Sequence, residues 1–447
     1  MTGFRIALAL ALGALPLPSL AQGMARERYP AVLDLRARAA VEDRILKERL
    51  DTIVPAIMRE RGVDMWILVA RENFEEPVVR TMLDAESLAA RRRTILIFHD
   101  RGTGRGVERL TVSRYGLGGL FAPAWNPAVQ LDQWARMAEI VRERAPKRIA
   151  INSSRLTAYA DGMTLSAWEE MTEALGPDLS RRLVRDEVLP VRWLETRTVA
   201  EMTLYPDLVK LTHAILGEAL SPAVIAPGRT TANDVVWWLR QKVSDLGLQT
   251  WFHPSVAISR RGVAAPLSDD TVIAKGDLIW TDFGITYLRL NTDVQENAYV
   301  LRDGEADAPA GLRAGLSASN AMQDAVTSSF RTGLSGNQVL AAARAAAAAR
   351  GLRGTIYSHP IGYHGHGAGP SIGFWDNQSP DPRGAGAVHP NTAWSIELGA
   401  TAAVPEWGGQ EVSFKTEEDA WFDGRSVRFI DGRRTSFYLI GPAASAN

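Results

Sequence analysis

The chain has 447 residues, 46% hydrophobic and 23% charged, and its 50 Lys+Arg against 51 Asp+Glu leave a formal charge of −1. That length exceeds one compact core and fits two domains of about 100–200 residues each. The balanced charge lacks the basic footprint that neutralises many phosphates, which argues against nucleic acid as a partner. With no Cys, disulfides, thiolate metal sites and a cysteine nucleophile are excluded, so any metal must be held by His, Asp and Glu.

Met1–Gln22 runs from a single Arg5 through the apolar stretch Ile6–Leu17 to Ser19-Leu20-Ala21, the order of a secretory leader, so residues 1–21 are expected to be removed and the protein to be periplasmic or secreted. The apolar stretch is shorter than the ~20 residues a bilayer requires, and no membrane association is expected after cleavage. Residues 22–195 alternate helical and strand patterns: helix over Ala39–Arg61, strands over Met65–Ala70 and Thr94–Phe98, helix over Leu131–Arg144, strand over Arg148–Ile151. Such alternation predicts an α/β domain with its sheet covered by helices. Glu195–Leu208, between Pro190 and Pro206, reads as a connector. Residues 196–447 then predict an α+β domain. Its helices are expected at Leu208–Val224, Ala232–Leu246 and Gln338–Arg350, and its strands at Val256–Ser259, Leu278–Asp282, Asp293–Leu301, Ala393–Leu398 and Glu411–Phe422.

The chemistry concentrates in this second half. Asp282 and Asp293 are 11 residues apart with Tyr287 and Leu288 at the midpoint, so a hairpin would set the two carboxylates opposite each other on one face. Like charges that close repel unless a cation lies between them; taken alone, such a pair reads first as a solvated turn. Downstream, His364-Gly365-His366-Gly367-Ala368-Gly369 places imidazoles in a glycine-rich loop, Glu397 lies within the apolar pattern Trp394–Leu398, and Glu417-Glu418-Asp419 interrupts another. Buried carboxylates are costly unless paired or metal-bound. Four carboxylates and an imidazole suit Mn²⁺, Co²⁺, Fe²⁺ or Zn²⁺, and are enough ligands for two ions.

The order Asp282-Phe283-Gly284, Asp293, Gly365-His366-Gly367-Ala368-Gly369, Glu397 and Glu417 resembles the metallopeptidase family of methionine aminopeptidase, aminopeptidase P and prolidase, with the pita-bread fold. The resemblance spans roughly Val199–Ile440, and the preceding domain resembles the creatinase/aminopeptidase P N-terminal domain. It implies a metal-dependent Xaa-Pro aminopeptidase or prolidase acting on short peptides, as a homodimer, with two divalent ions, Mn²⁺ by preference and Co²⁺, Zn²⁺ or Fe²⁺ as alternatives. Asp282 would bind one ion, Asp293 and Glu417 would bridge, and His366 and Glu397 would bind the second. Glu397 would also shuttle protons, with His364 a further catalytic candidate. Glu418 competes with Glu417, and His364 with His366.

The sequence also departs from the family. The further His expected seven residues after the metal-binding one falls on Gly373, and the His expected before the Asp-x-Gly strand is missing from Arg261–Leu267. These two normally steady the substrate carbonyl and the tetrahedral intermediate; His253, His359 or His364 could substitute, and His359 and Trp407 are candidate pocket residues. After Asp293 the family continues Thr-Arg, whereas this chain has Gln295-Glu296. Two competing readings stand beside the peptidase: a peptide-binding or other amide-hydrolysing relative, and a serine hydrolase on Gly369-Pro370-Ser371-Ile372-Gly373, which lacks the strand that a nucleophile elbow requires before its Ser.

Overall fold

In the computed structural model of the protein, the described residues are 29–441; the expected leader, residues 1–21, lies outside them. The first half builds a six-stranded mixed sheet from β1 (Met65–Arg71), β2 (Arg93–Asp100), β3 (Val107–Val112), β4 (Ala122–Pro123), β5 (Ile149–Ile151) and β6 (Leu183–Arg185), in the order β4-β3-β2-β1-β5-β6. Alternation along β1 and β2 sends Trp66, Leu68, Leu96 and Phe98 to one face, against helix α1 (Leu35–Glu60), and Met65, Ile67, Ile95 and Ile97 to the other. There they meet α3 (Gln133–Arg144) and α4 (Leu165–Ser180), while the short α2 (Pro77–Met82) joins the α1 side. Both faces are thus apolar, as a helix-covered sheet requires.

The expected connector Glu195–Leu208 is instead mostly helical. Helix α5 (Val188–Glu195) is followed after three residues by α6 (Val199–Ala219), with Pro206 inside it. The Thr198 hydroxyl accepts from the Glu201 N–H and the Glu201 carboxylate accepts from the Thr198 N–H. This reciprocal capping fixes the helix start, and the Thr-x-x-Glu spacing was its signal in the sequence.

The second half contains α7 (Ala232–Asp245) and strands β7 (Ser255–Ser259), β8 (Leu278–Phe283), β9 (Thr286–Tyr287), β10 (Leu290–Asn291) and β11 (Val294–Val300). Helices α8 (Ala310–Thr327) and α9 (Gly336–Ala349) follow, then β12 (Gly354–Ile356), β13 (His359–Ile361), β14 (Thr392–Ser395), β15 (Leu398–Val404), β16 (Gln410–Thr416), β17 (Asp419–Phe422), β18 (Val427–Phe429) and β19 (Tyr438–Ile440). Their main sheets run β19-β11-β8-β7, β12-β15-β16 and β13-β14-β17-β18. Helices α6 and α7 pack on the first through Ile215, Val235 and Leu239, and α8 and α9 on the others through Val326, Val339 and Leu340. The strands expected as Ala393–Leu398 and Glu411–Phe422 are each broken in two, at Ile396-Glu397 and at Glu417-Glu418.

Candidate metal centre

Backbone register positions the acidic residues. Strands β8 and β11 pair antiparallel with Asp282 opposite Gln295 and Phe283 opposite Val294. The turn between β9 and β10 is Leu288-Arg289, both at positive φ (51° and 64°), the geometry of a two-residue hairpin loop. Its midpoint lies one residue beyond the expected Tyr287-Leu288, so Asp282 faces Gln295 and Asp293 sits diagonal to Asp282 on the same face instead of directly opposite. The Gln295 and Glu417 backbones exchange hydrogen bonds of 3.1 and 3.3 Å, joining this sheet to the break that carries Glu417. Glu397, in the other break, donates its N–H to the Ser358 hydroxyl at 3.2 Å.

His359 stands at the convergence. Strand β13 places it opposite Ser395, and its Nε2 lies 3.8 Å from Asp293 Oδ2, 3.7 Å from Glu397 Oε2 and 3.6 Å from Glu417 Oε1. Its Nδ1 faces the Pro360 carbonyl at 3.0 Å. A proton on Nδ1 is what that contact assigns, leaving the Nε2 lone pair for the carboxylate side. Asp282, Asp293 and Glu417 form a second group of close ligand atoms. Asp282 Oδ1, Asp293 Oδ1 and His359 Nε2 are buried and have no hydrogen-bond partner.

These groups fit divalent cations. Ligands about 2.0–2.2 Å from a tetrahedral ion stand roughly 3.3–3.6 Å apart, close to the separations around His359. Burial first, and then the charge of Glu417, push the Asp282 carboxyl up to about 8 and hold Asp293 and Glu397 well above the usual carboxylate range. Alone, the cluster holds protons; a cation would reverse that preference and satisfy the orphaned atoms together.

His366 is at the exposed rim, with its ring 4.8 Å from that of His359 and a ring nitrogen near Asp293 and His359. The imidazole enclosed by Asp293, Glu397 and Glu417 is therefore His359, where the sequence had assigned His366. Seven positions on from His359 stands His366, the interval at which the resemblance expects a further His, and the spacing His359-x6-His366 was the missed signal. Gly367 lets this loop close on β13: a Cβ there would lie 2.5 Å from the Pro360 carbonyl oxygen.

Other candidates fall elsewhere. His364 stacks on Tyr159 of the first domain at 4.2 Å, and desolvation, then Arg80 and Arg197, lower its pKa to about 4; it joins none of the ligand groups. His253 is exposed and contacts Arg240 and Trp237 of α7. Trp407 packs in the core with Leu312, Leu316 and Phe414. Glu418 points away from Glu417, to His213 at 3.0 Å, because successive residues face opposite sides of an extended chain. Ser371 lies in a loop against the start of α9, its N–H bonded to the Arg383 carbonyl, with no strand leading into it. Sequence reasoning noted Gln295 only as a departure from the family's Thr-Arg and passed over Tyr357 and Trp375. Gln295 reaches Glu397 and Glu417, Trp375 donates to Glu397 Oε1 at 3.0 Å, and the Tyr357 ring lies 5.2 Å from His359.

The sequence model of metallopeptidase family M24 matches residues 207–431, half of the chain. No curated protein matches it. Among solved structures, the X-Pro aminopeptidase from Thermotoga maritima MSB8 aligns over 86% of this chain and 99% of its own at 16% identity and a TM-score of 0.60. The Xaa-Pro dipeptidase from Bacillus anthracis aligns over 88% and 99% at 16% identity and 0.57. The dipeptidase PepE from Mycobacterium ulcerans aligns over 92% and 100% at 18% identity and 0.57. These likenesses establish the fold, an α/β domain followed by a pita-bread domain. Together with the family match and the clustered acids and histidines, they place the chain in metallopeptidase family M24.

Proposed function

We propose that the protein is an exported, metal-dependent peptidase that cleaves the bond between an N-terminal residue and proline in short peptides. The observation that carries this is the convergence of His359 Nε2 on Asp293, Glu397 and Glu417 in a chain of family M24. Two divalent ions, Mn²⁺ by preference and Co²⁺, Zn²⁺ or Fe²⁺ as alternatives, held by Asp282, Asp293, His359, Glu397 and Glu417, would polarise the scissile carbonyl and acidify a water. Glu397 takes up a proton as the carbonyl is attacked and returns it to the leaving proline nitrogen. His366, beside His359 at the rim, hydrogen-bonds the oxygen that becomes anionic. The rings of Trp251 and Tyr357 against His366, with Phe374 and Trp375 packed on Tyr357, offer aromatic surface suited to pyrrolidine.

The leader pattern of residues 1–21 supports export, and the N-terminal domain is read as the element that restricts access and builds a homodimer. The test is a panel of dipeptides and tripeptides, with and without proline at the second position, assayed with Mn²⁺. The proline peptides should be cleaved at least tenfold faster. Equal cleavage of both sets would refute the proline preference, and cleavage of neither would refute the peptidase.

A further inference from the structure

The side chain assigned to the developing oxyanion is held from the other half of the molecule. Among the described residues no hydrogen bond reaches either ring nitrogen of His366; the ring rests against His359, Trp251 and Tyr357 at centroid distances of 4.8, 5.2 and 6.0 Å. Where this imidazole points is therefore set by the backbone that carries it. That backbone is a tight loop. The Gly362 N–H donates to the His364 carbonyl at 3.1 Å, the Gly367 N–H donates to the Pro360 carbonyl at 2.7 Å, and a Cβ at Gly365 would overlap the Trp251 ring. The carbonyl of His366 itself accepts from the Tyr159 hydroxyl.

Tyr159 belongs to the first domain, in the single 3₁₀ turn Ala158–Ala160, and neighbouring side chains fix that turn. The Ser154 hydroxyl accepts from the Leu156 and Thr157 N–H groups at 3.0 and 2.9 Å and donates to Glu187 at 2.7 Å, while the Asp161 carboxylate accepts from the Ser154 N–H at 3.1 Å. From this support the Tyr159 ring stacks on His364, with centroids 4.2 Å apart and planes at 29°. Burial pushes its phenol above the usual range, so at neutral pH the hydroxyl is a donor. Tyr363 and Ala368, on either side of the loop, join the first domain's cluster of Leu189 and Trp193. The segment that carries His366 is thus seated on the first domain at both ends and in the middle.

We propose that Tyr159 is a positioning residue for the catalytic rim: with its hydroxyl on the His366 carbonyl and its ring on His364, it fixes the loop so that the His366 imidazole points at the centre. The first domain then contributes to the chemistry as well as to access. A donor displaced by even about 1 Å loses much of its effect on rate, whereas metal binding, which uses other residues, is left alone. The effect on rate rests on the peptidase reading above; the placement of His366 does not.

Two measurements on the full-length protein test this, each variant being checked for wild-type circular dichroism. In chelator-stripped protein with isotope-labelled histidine, the ring signals of the seven histidines are followed by NMR, and His364→Ala and His366→Ala assign theirs. Tyr159→Phe, which keeps the ring and loses the hydroxyl, should shift or broaden the His364 and His366 signals and leave those of His99, His213, His253 and His389 in place; an unmoved His366 signal would overturn the proposal. With Mn²⁺ and Ala-Pro, Tyr159→Phe should lower kcat about tenfold with KM within about twofold. In a His366→Ala background the same substitution should change kcat by less than about twofold, because it acts through that side chain. An unchanged kcat in the wild-type background, or the same loss in both backgrounds, would overturn the role in catalysis. Absence of any turnover by the wild type would overturn the peptidase reading instead, and the histidine spectrum alone would then decide whether Tyr159 places His366.

Discussion

A histidine among buried carboxylates and one at their rim have different chemistry even when only seven residues separate them. His359 is 2% exposed and encircled by three acids, whereas His366 is exposed and reaches the same group from one side. His359→Ala should abolish tight metal retention, measured by elemental analysis after gel filtration. His366→Ala should retain metal yet lose about 10²–10³-fold in kcat, the usual effect of removing an oxyanion donor. Metal lost from both variants alike would return His366 to the ligand set. The four acids were legible because their order and spacing are distinctive and their apolar surroundings made them expensive to bury. The histidine was not, because three imidazoles lie within His359–His366 and the glycines drew attention to the loop, while the imidazole that the acids enclose belongs to the strand before it. Gln295 stood out only as a departure from the family's Thr-Arg, since what a neutral amide faces is not written in the sequence around it.

At the level of strands, the breaks at Ile396-Glu397 and Glu417-Glu418 turn neighbouring residues to opposite sides. Gln295 and Glu417 face the candidate centre, and Glu296 and Glu418 face a second buried cluster with His213. The patterns of the sequence placed these strands but ran through the breaks, because a two-residue interruption of an apolar run has no periodicity of its own. In the second cluster, His213 lies 3.0 Å from Glu418 and 2.9 Å from Asp431. Desolvation alone would lower its pKa, but these hydrogen bonds overcome it and push it up to about 9. Folded protein then keeps a proton that the unfolded chain releases near pH 6.5. The stabilisation is full below about pH 6.5 and lost as pH rises through about 9. With metal content held fixed, the wild-type Tm should fall between pH 6.5 and 9.5 and the His213→Gln curve should be flatter; parallel curves would contradict the assignment.

At the scale of the whole molecule, the two halves are joined by buried charges. Arg49 of α1 lies 2.8 Å from Glu201 of α6 and donates to the Thr196 carbonyl at 2.6 Å, and Arg197 reaches the same carboxylate at 3.0 Å. Both guanidiniums lie within about 5.0 Å of the Tyr363 ring, four residues from His359. The hairpin tip between the two candidate aspartates adds Arg289 to Glu42 at 2.9 Å. Arg49→Met should therefore cost about 3–5 kcal/mol in unfolding free energy, as for the loss of one partner of a buried pair, read by denaturant titration; a change below 1 kcal/mol would show that the junction contributes little. Two domains and their order were legible from length and alternation, but this junction was not, because its charges are distant in sequence and sit in helices that look solvated. Whether the centre around His359 is a metal-dependent peptidase is decided by proline release from Ala-Pro by chelator-stripped protein, before and after adding Mn²⁺. The expected result is no release before Mn²⁺, turnover after it, and none at any Mn²⁺ concentration in Asp293→Ala; release that survives stripping, or persists in Asp293→Ala, would contradict it.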